Sequence, residues 1–512
     1  MTAWLGVIPF VIMLLAVAAG PLIPAVAPWW EKPWVQLATS LVLGLPVAIT
    51  LISLGRSAEV GHSLVEYVQF VTLLFGLFVV AGGIALTGDL AGTPKVNTLF
   101  LGVGALLASF IGTTGAAMLL IRPLIRSNSH RRHRMHTVIF AIFTLANCGG
   151  LLTPLGDPPL FLGLLRGVPF TWTLQLWPEW LLVNALLLLT YYCLDRALMW
   201  DEDTSLDVVE PLGVKGLSGI IWFAVIIVAV ALVPSLNLTA IEAGHATWYD
   251  WLPLREIVIV AAAGLSWVTG SRSARFEHNQ FRFAPIAEVA AIFLGIFVTM
   301  APALHLLDEH AADLPISAVT LHLFTGGLSS ILDNAPTYAT FFEVAQNSSA
   351  AVSATAAGGA GLVAGVPVAY LAAISTGAVF WGAMTYIGNG PNFMVRSIAE
   401  ATGTQMPSFI GYIAWSGRWL LPVLIADLLL FVTTSPVSRG IGAGLVVLLI
   451  VRALLLLRGR GWGVPPKVPD RPRRDQPLSP EASLGWNPRL LHRSSRTDQP
   501  SVSQITDDSV SQ

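Results

Sequence analysis

Two acids, Asp157 and Asp333, stand inside breaks in otherwise apolar stretches. The first break reads Thr153-Pro154-Leu155-Gly156-Asp157-Pro158-Pro159 and the second Ser329-Ser330-Ile331-Leu332-Asp333-Asn334-Ala335-Pro336. A carboxylate at membrane depth costs about 2.5–3.5 kcal/mol on insertion scales and marks an ion or proton pathway. Two such acids in corresponding halves of one chain point to a secondary transporter.

The residues around them supply matching chemistry. Proline and glycine inside a helix free backbone carbonyls and amides. Beside an ion those groups become ligands and dipole ends. The breaks at 153–159 and 385–391 therefore offer carbonyls, with Gly156, Pro158, Pro159, Gly388, Gly390 and Pro391 as the breaking residues. Thr153, Asp157, Thr385, Asn389 and Asn392 add side-chain oxygens or amides, as do Thr113, Thr114, Asp333 and Asn334 at two polar tips. A cage of hard oxygens suits Na⁺ or Li⁺ better than a soft metal. Na⁺ is expected at Asp157 and Asp333, in competition with H⁺, and no resident cofactor is expected.

Each residue also has a purely structural reading. Asn334 and Asn389 can cap half-helices, and Asp157 before two prolines can cap a surface turn. Thr113 and Thr114 can bond back to their own helix. The histidines His130, His133 and His136 lie among arginines, whose charge disfavours a metal. His305 and His310, with Asp308, Glu309 and Asp313, read as a linker at the membrane interface.

Composition fixes the setting for these groups. The chain has 512 residues, 54% hydrophobic and 11% charged. Soluble domains carry nearer a quarter charged residues. A mean hydropathy of +0.70 over this length means a polytopic, all-α membrane protein. The net charge of −2 says little about partners beyond the lipid bilayer, and no nucleic-acid partner is expected. Cys148 and Cys193 form no metal or redox spacing and read as space-filling residues. No phosphate-binding loop, zinc motif or nucleophile elbow is visible, so an enzyme is not expected.

Apolar stretches of spanning length fall near 4–26, 35–54, 64–86, 172–194, 216–233, 254–271, 284–303, 409–432 and 440–457. Two more, near 137–166 and 361–400, are interrupted by Gly and Pro. Two others, near 98–126 and 317–346, carry a polar tip between apolar arms too short to cross, which suits re-entrant hairpins. The expectation is eleven crossings, two re-entrant hairpins and two broken helices. Trp29, Trp30, Trp34, Trp177 and Trp180 read as interface anchors.

The arginines of the loop 127–135, the loop 272–283 and the start of the tail orient the chain. Placing all three in the cytoplasm puts the N-terminus outside and the C-terminus inside. The first hairpin then opens to the cytoplasm and the second to the outside. The acidic loop 195–215 falls on the cytoplasmic side, where acids weigh little.

An internal repeat underlies this plan. Ser109 to Ala116 aligns with Ser329 to Pro336 at an offset of 220, and Thr153 to Phe161 aligns with Thr385 to Phe393 at 232. The matched order and opposite orientation are the signature of an inverted repeat. The expected organisation is an N-terminal helix and loop over 1–34 and a first repeat over 35–194. A linker with one helix over 195–253, a second repeat over 254–432 and a last helix over 433–458 follow. The tail, 459–512, reads as disordered and cytoplasmic.

The stretch Gly112 to Pro123 resembles the hairpin of the ion transporter superfamily, which includes divalent-anion/sodium symporters, arsenite permeases and NhaD-type sodium/proton antiporters. Those symporters carry a Ser-Asn-Thr tip; Thr114 matches its Thr, while Gly112 and Thr113 replace the Ser and Asn. The break at 153–159 resembles the superfamily's Gly-Thr-Pro-Pro-Asn break, with Asp157 replacing Thr and Leu160 replacing Asn. The second half keeps Gly388, Pro391 and Asn392. The Leu332 to Pro336 tip looks most like the NhaD-type antiporters, and the chain is nearest to these and to citrate transporters. The resemblance spans about 35–432 and implies a two-domain elevator transporter in a bacterial inner membrane, assembled as a homodimer.

The departures bear on the substrate. A buried anion repels citrate or succinate and attracts a cation. Desolvation also favours the protonated form of a carboxylate. One group can then hold H⁺ or Na⁺ but not both, which favours Na⁺(Li⁺)/H⁺ antiport. The competing reading is a sodium-coupled citrate or dicarboxylate carrier. A channel needs no paired broken helices, and a membrane enzyme needs a nucleophile–base pair that is not seen.

Overall fold

The computed structural model describes residues 2–23, 25–30, 32–88, 91–199, 213–310, 316–356, 359 and 361–458. The chain divides into Met1–Val464, which holds every element below, and Pro465–Gln512. The expected cytoplasmic tail, most of the acidic loop and the side chains at 307–315 lie outside the described residues.

The described chain is almost entirely helical. Its first part contains α1 (Thr2–Ala19), α2 (Pro33–Ser53), α3 (Ser57–Gly82), α4 (Pro94–Ile111), α5 (Thr113–Ser127), α6 (Met135–Thr144), α7 (Pro158–Leu165) and α8 (Trp177–Leu198). Then follow α9 (Ser218–Leu232), α10 (Leu254–Thr269) and α11 (Ala284–His310). The last part contains α12 (Ala318–Ser329), α13 (Asn334–Gln346), α14 (Val368–Trp381), α15 (Gly390–Ala401), α16 (Phe409–Trp419), α17 (Leu421–Asp427) and α18 (Pro436–Leu456).

Local sequence explains where key helices begin. Thr93 caps α4 by accepting the Val96 amide at 3.4 Å, with Pro94 at the first helical position. Ser317 and Thr320 form a reciprocal capping box at α12. Pro158 and Pro159 open α7, and Gly390 and Pro391 open α15, so Asp157 and Asn389 occupy equivalent N-cap positions.

Close packing between spans uses small residues, as membrane helices do. Where α2 meets α11, Ser40 Oγ donates to the Ala291 carbonyl at 2.7 Å. A Cβ added to Gly295 would lie 2.6 Å from that same hydroxyl oxygen. The core beside it is aromatic: the Phe70 ring lies 4.7 Å from Phe293, 5.7 Å from Phe297 and 6.4 Å from Phe161.

The hairpins and breaks expected from the sequence take definite form. Helices α4 and α5 pack together around a tip at Gly112, and α12 and α13 around Ser330–Asp333. Gly112 has φ 83°, a conformation that L side chains rarely adopt, and it ends α4 and starts α5 at one residue. The first arm is longer than expected. Thr93 and Pro94 start α4 four residues before the apolar run, giving 18 residues, enough to cross by length and composition.

The crossing count also differs from eleven on that criterion alone. Among the described residues, six helices are long and apolar enough to cross a membrane, or seven if α16 and α17, bent by 42°, form one span. Broken helices divide one apolar stretch into halves that each fall short. Helix α9, at 15 residues, reaches about 22 Å against a hydrocarbon core of about 30 Å.

Three smaller expectations are corrected. Arg131 is not a loop charge facing water: it is buried, with Nη2 at 2.6 Å from Asp195 Oδ1. His136 joins the same acid at 2.8 Å. Trp30 packs on Gly20 in the interior, and Trp180 donates to the Gly149 carbonyl at 3.0 Å, whereas Trp29, Trp34 and Trp177 are exposed. Cys148 and Cys193 are free and buried, as their packing role requires.

Candidate cation site where the two breaks meet

The backbone of each break is latched to a hairpin in the same way. Thr153 Oγ1 donates to the Ser109 carbonyl and accepts the Leu155 amide at 3.2 Å. Thr385 Oγ1 donates to the Ser330 carbonyl at 2.5 Å and accepts the Ile387 amide at 3.2 Å. Both threonines therefore hold the break in shape; their hydroxyls are already used. Inside each break the chain crosses itself at glycine. A Cβ on Gly156 would overlap the Gly150 carbonyl, and one on Gly388 would lie 2.5 Å from the Gly382 carbonyl. The pair 150/156 maps onto 382/388 at the offset of 232 seen in the sequence.

This scaffolding turns Asp157 inward. Its backbone (φ −146°, ψ 144°) is nearly that of Asn389 (φ −153°, ψ 138°), and neither side chain caps its own helix. Asp157 is 1% exposed and accepts from three neutral donors. Thr113 Oγ1 donates to Oδ1 at 2.8 Å, Asn389 Nδ2 donates to Oδ1 at 3.2 Å, and Asn334 Nδ2 donates to Oδ2. The Thr113 amide also donates to the Gly156 carbonyl at 2.8 Å. One carboxylate thus ties together both hairpin tips and both breaks.

A second layer of amides orients the first. Asn147 accepts from Asn389 Nδ2 at 3.2 Å and donates to Asn392 Oδ1 at 2.7 Å and to the Ile142 carbonyl at 2.8 Å. Asn392 Nδ2 donates to the carbonyls of Gly382 at 2.8 Å and Thr385 at 2.9 Å. Asn147 is not among the site residues expected from the sequence. Its signal was an amide inside the apolar run from Val138 to Leu152, before Cys148-Gly149-Gly150.

Not every expected ligand is in the cluster. Asp333 caps α13, with Oδ1 accepting the Ala335 amide at 3.1 Å, while the adjacent Asn334 reaches Asp157. The cap of α13 is thus Asp333 and not Asn334, while Asn389, at the N-cap position of α15, makes no side-chain cap hydrogen bond. Thr114 is half-buried and bonds to none of the cluster. Asn392 supports from behind, and Pro158, Pro159, Gly390 and Pro391 set the helix starts.

One atom of the cluster is left without a partner. Asn334 Oδ1 is buried and accepts no hydrogen bond, while the amide nitrogen of the same side chain holds Asp157. A buried orphan acceptor beside a carboxylate is costly unless a cation or proton faces it. Side-chain oxygens of Asp157, Thr113 and Asn334 together form a hard, anionic donor set. None of the side chains hydrogen-bonded to Asp157 is cationic.

A family model described as "Putative citrate transport" matches residues 1–432. The chain belongs to that family. No curated protein matches it. Membership of the citrate-transport family, with several helices apolar enough to cross, makes this a multi-pass membrane protein and a secondary transporter rather than an enzyme.

Proposed function

We propose that the protein is a Na⁺(Li⁺)/H⁺ antiporter with elevator-type alternating access, and that Asp157 is the group for which cation and proton compete. The observation that carries this reading is the Asp157 cluster: one buried carboxylate, neutral donors around it, and the unpartnered Asn334 Oδ1 beside it. A Na⁺ ion there takes oxygens from Asp157, Asn334 and Thr113. A proton on Asp157 removes the charge that binds Na⁺ and converts one acceptor into a donor. Occupation by one excludes the other, so a gradient of either drives the other across.

The moving body in this reading comprises the α4–α5 and α12–α13 hairpins with the broken pairs α6/α7 and α14/α15. The two halves are inverted repeats, eleven crossings place the C-terminus in the cytoplasm of a bacterial inner membrane, and two copies form a homodimer. Likeness of the Leu332 to Pro336 tip to NhaD-type antiporters supports the same choice.

The second reading is a sodium-coupled citrate or dicarboxylate carrier, favoured by the family description. The N-termini of α7 and α15 adjoin the cluster, and helix N-termini attract carboxylates. Against it, a polyanion would face the Asp157 charge with no cationic side chain bonded to the cluster. Reconstituted protein separates the two. An imposed Na⁺ gradient should move the internal pH, and labelled citrate should not accumulate. Sodium-driven citrate uptake without proton movement would replace the antiport reading by the carrier.

A further inference from the structure

Among the described residues away from the breaks, one buried acid has no hydrogen-bond partner on either carboxylate oxygen. Asp427, the last residue of α17, is 0% exposed, and both carboxylate oxygens lack a hydrogen bond. An isolated ionised carboxylate in such a place is among the most expensive groups a protein can bury. It must be neutralised by a proton or faced by a cation.

Its equivalent in the first half shows what is missing. Asp427 and Asp195 differ by 232, the offset that pairs the two breaks, and α8 (Trp177–Leu198) maps at the same offset onto α16 and α17. Asp195 is fully paired, by Arg131 at 2.6 Å and His136 at 2.8 Å. At the offset of 220 the position of Arg131 holds Ala351, and at 232 that of His136 holds Val368. The second half keeps the acid and lacks both of its partners.

The helix packed beside it, α8, carries another acid. Helix α17 packs on α8, α16, α18 and the Leu428–Val432 segment. Glu179, in the first turn of α8, lies within electrostatic reach of Asp427, as does Cys148. Glu179 Oε2 is itself buried without a partner, although the residue is partly exposed. The other charged groups on these helices are engaged elsewhere. Arg452 Nη1 donates to the Arg418 carbonyl at 3.0 Å, and both guanidinium groups lie over Trp419. Arg439 donates to the Thr433 carbonyl at 3.1 Å, and the Tyr412 hydroxyl to the Ala383 carbonyl at 2.9 Å. Tyr191 bonds Asp195, and Arg196 is exposed. Tyr192 and Cys193 are some 13 residues along α8 from Glu179, about 20 Å away. Among the described residues, no cluster of three His, Cys, Asp or Glu could hold a metal ion.

We propose that Asp427 and Glu179 form a proton-binding carboxylate pair, separate from the Asp157 cluster. Two carboxylates on packed helices, both with buried oxygens that have no hydrogen-bond partner, cannot both ionise cheaply, so the pair shares a proton. Glu179, half-open to the outside of the bundle, passes the proton between water and Asp427. Each transfer moves one H⁺ from a carboxylic acid to a neighbouring carboxylate. The pair sits at the start of α8, while Asp195 sits in its last turn, about 24 Å away. Charge-paired and proton-bearing acids thus occupy opposite ends of one helix.

Infrared difference spectroscopy between acidic and alkaline pH, on protein reconstituted in lipid, tests this. Wild-type protein should show the carbonyl stretch of a buried, weakly hydrogen-bonded carboxylic acid. Asp427→Asn should lose that band, and Asp157→Asn should retain it, which keeps the result independent of the antiport reading. Glu179→Gln should shift the band and slow its exchange with deuterium; this variant serves also if Asp427→Asn fails to fold. Spectra of Asp427→Asn and Glu179→Gln that match wild type in this region would overturn the pair.

Discussion

Asn389 Nδ2 donates to Asp157 Oδ1 at 3.2 Å, so the equivalent residues of the two breaks touch each other. They occupy the same N-cap position with nearly the same backbone angles, yet one is an acid and the other its amide. The contact needs that difference. Two aspartates there would repel, and two asparagines would lack the charge for a cation. The symmetry is in the backbone, and the chemistry comes from breaking it.

Asp157→Asn should insert and fold but lose exchange. The substitution keeps the size of the side chain, removes the charge, and presents an amide nitrogen to donors on Thr113, Asn334 and Asn389. Leaving one of these unsatisfied costs about 1–3 kcal/mol, which a folded membrane protein can carry. Sodium-driven change of internal pH in proteoliposomes is the measurement. Wild-type exchange would remove Asp157 from the site.

Asn334→Ala should impair transport more than Asp333→Asn. Asn334 reaches Asp157, whereas Asp333 caps α13, and asparagine caps a helix about as well as aspartate. Apparent Na⁺ affinity, read from the concentration dependence of exchange, should collapse in Asn334→Ala and weaken only modestly in Asp333→Asn. The reverse order would return the leading role to Asp333.

Gly156→Ala should lower thermal stability while Gly417→Ala should not. The added methyl group at 156 would overlap the Gly150 carbonyl, and one at 417 meets nothing within 4 Å. Forced repacking costs about 1–3 kcal/mol. Melting in detergent checks it; equal midpoints for the two variants would contradict the self-crossing of the break.

Asp195→Asn should be strongly destabilising, because Arg131 and His136 would lose their acid in the interior. Removing one partner of a buried pair costs about 3–5 kcal/mol. Pairing it with Arg131→Met should recover part of the loss. A double variant less stable than Asp195→Asn alone would show that Arg131 has some further role.

Cysteine accessibility tests the orientation. Ser129 and Ala243 are exposed on loops that the basic residues assign to the cytoplasm and the outside. In intact cells an impermeant thiol reagent should label Ala243→Cys and spare Ser129→Cys; the two native cysteines are buried and should stay silent. Opposite labelling would invert the topology.

The sequence by itself carried the membrane class, the two breaks, the two tips and the offset between halves. These are local features: apolar length, Gly and Pro in an apolar run, and an acid where an acid is costly. It also named Asp157, Thr113, Asn334 and Asn389, since polar groups at membrane depth stand out against the apolar background. What it could not rank was their partners. Asp333 and Asn334 are adjacent in the chain and face opposite tasks, one on its own helix end and one on Asp157. Thr153 and Thr385 spend their hydroxyls on the hairpins, and Asn147 enters from a stretch that reads as plain helix. Arg131 looks like a loop charge until Asp195, 64 residues on, receives it. Apart from the Asp333 cap, the deciding contacts join residues 44 to 245 positions apart, among them Thr113 with Asp157 and Asn147 with Asn392. A side chain's job is set by which donor or acceptor lies within about 3 Å of it, and over such separations only the packed helices bring one there.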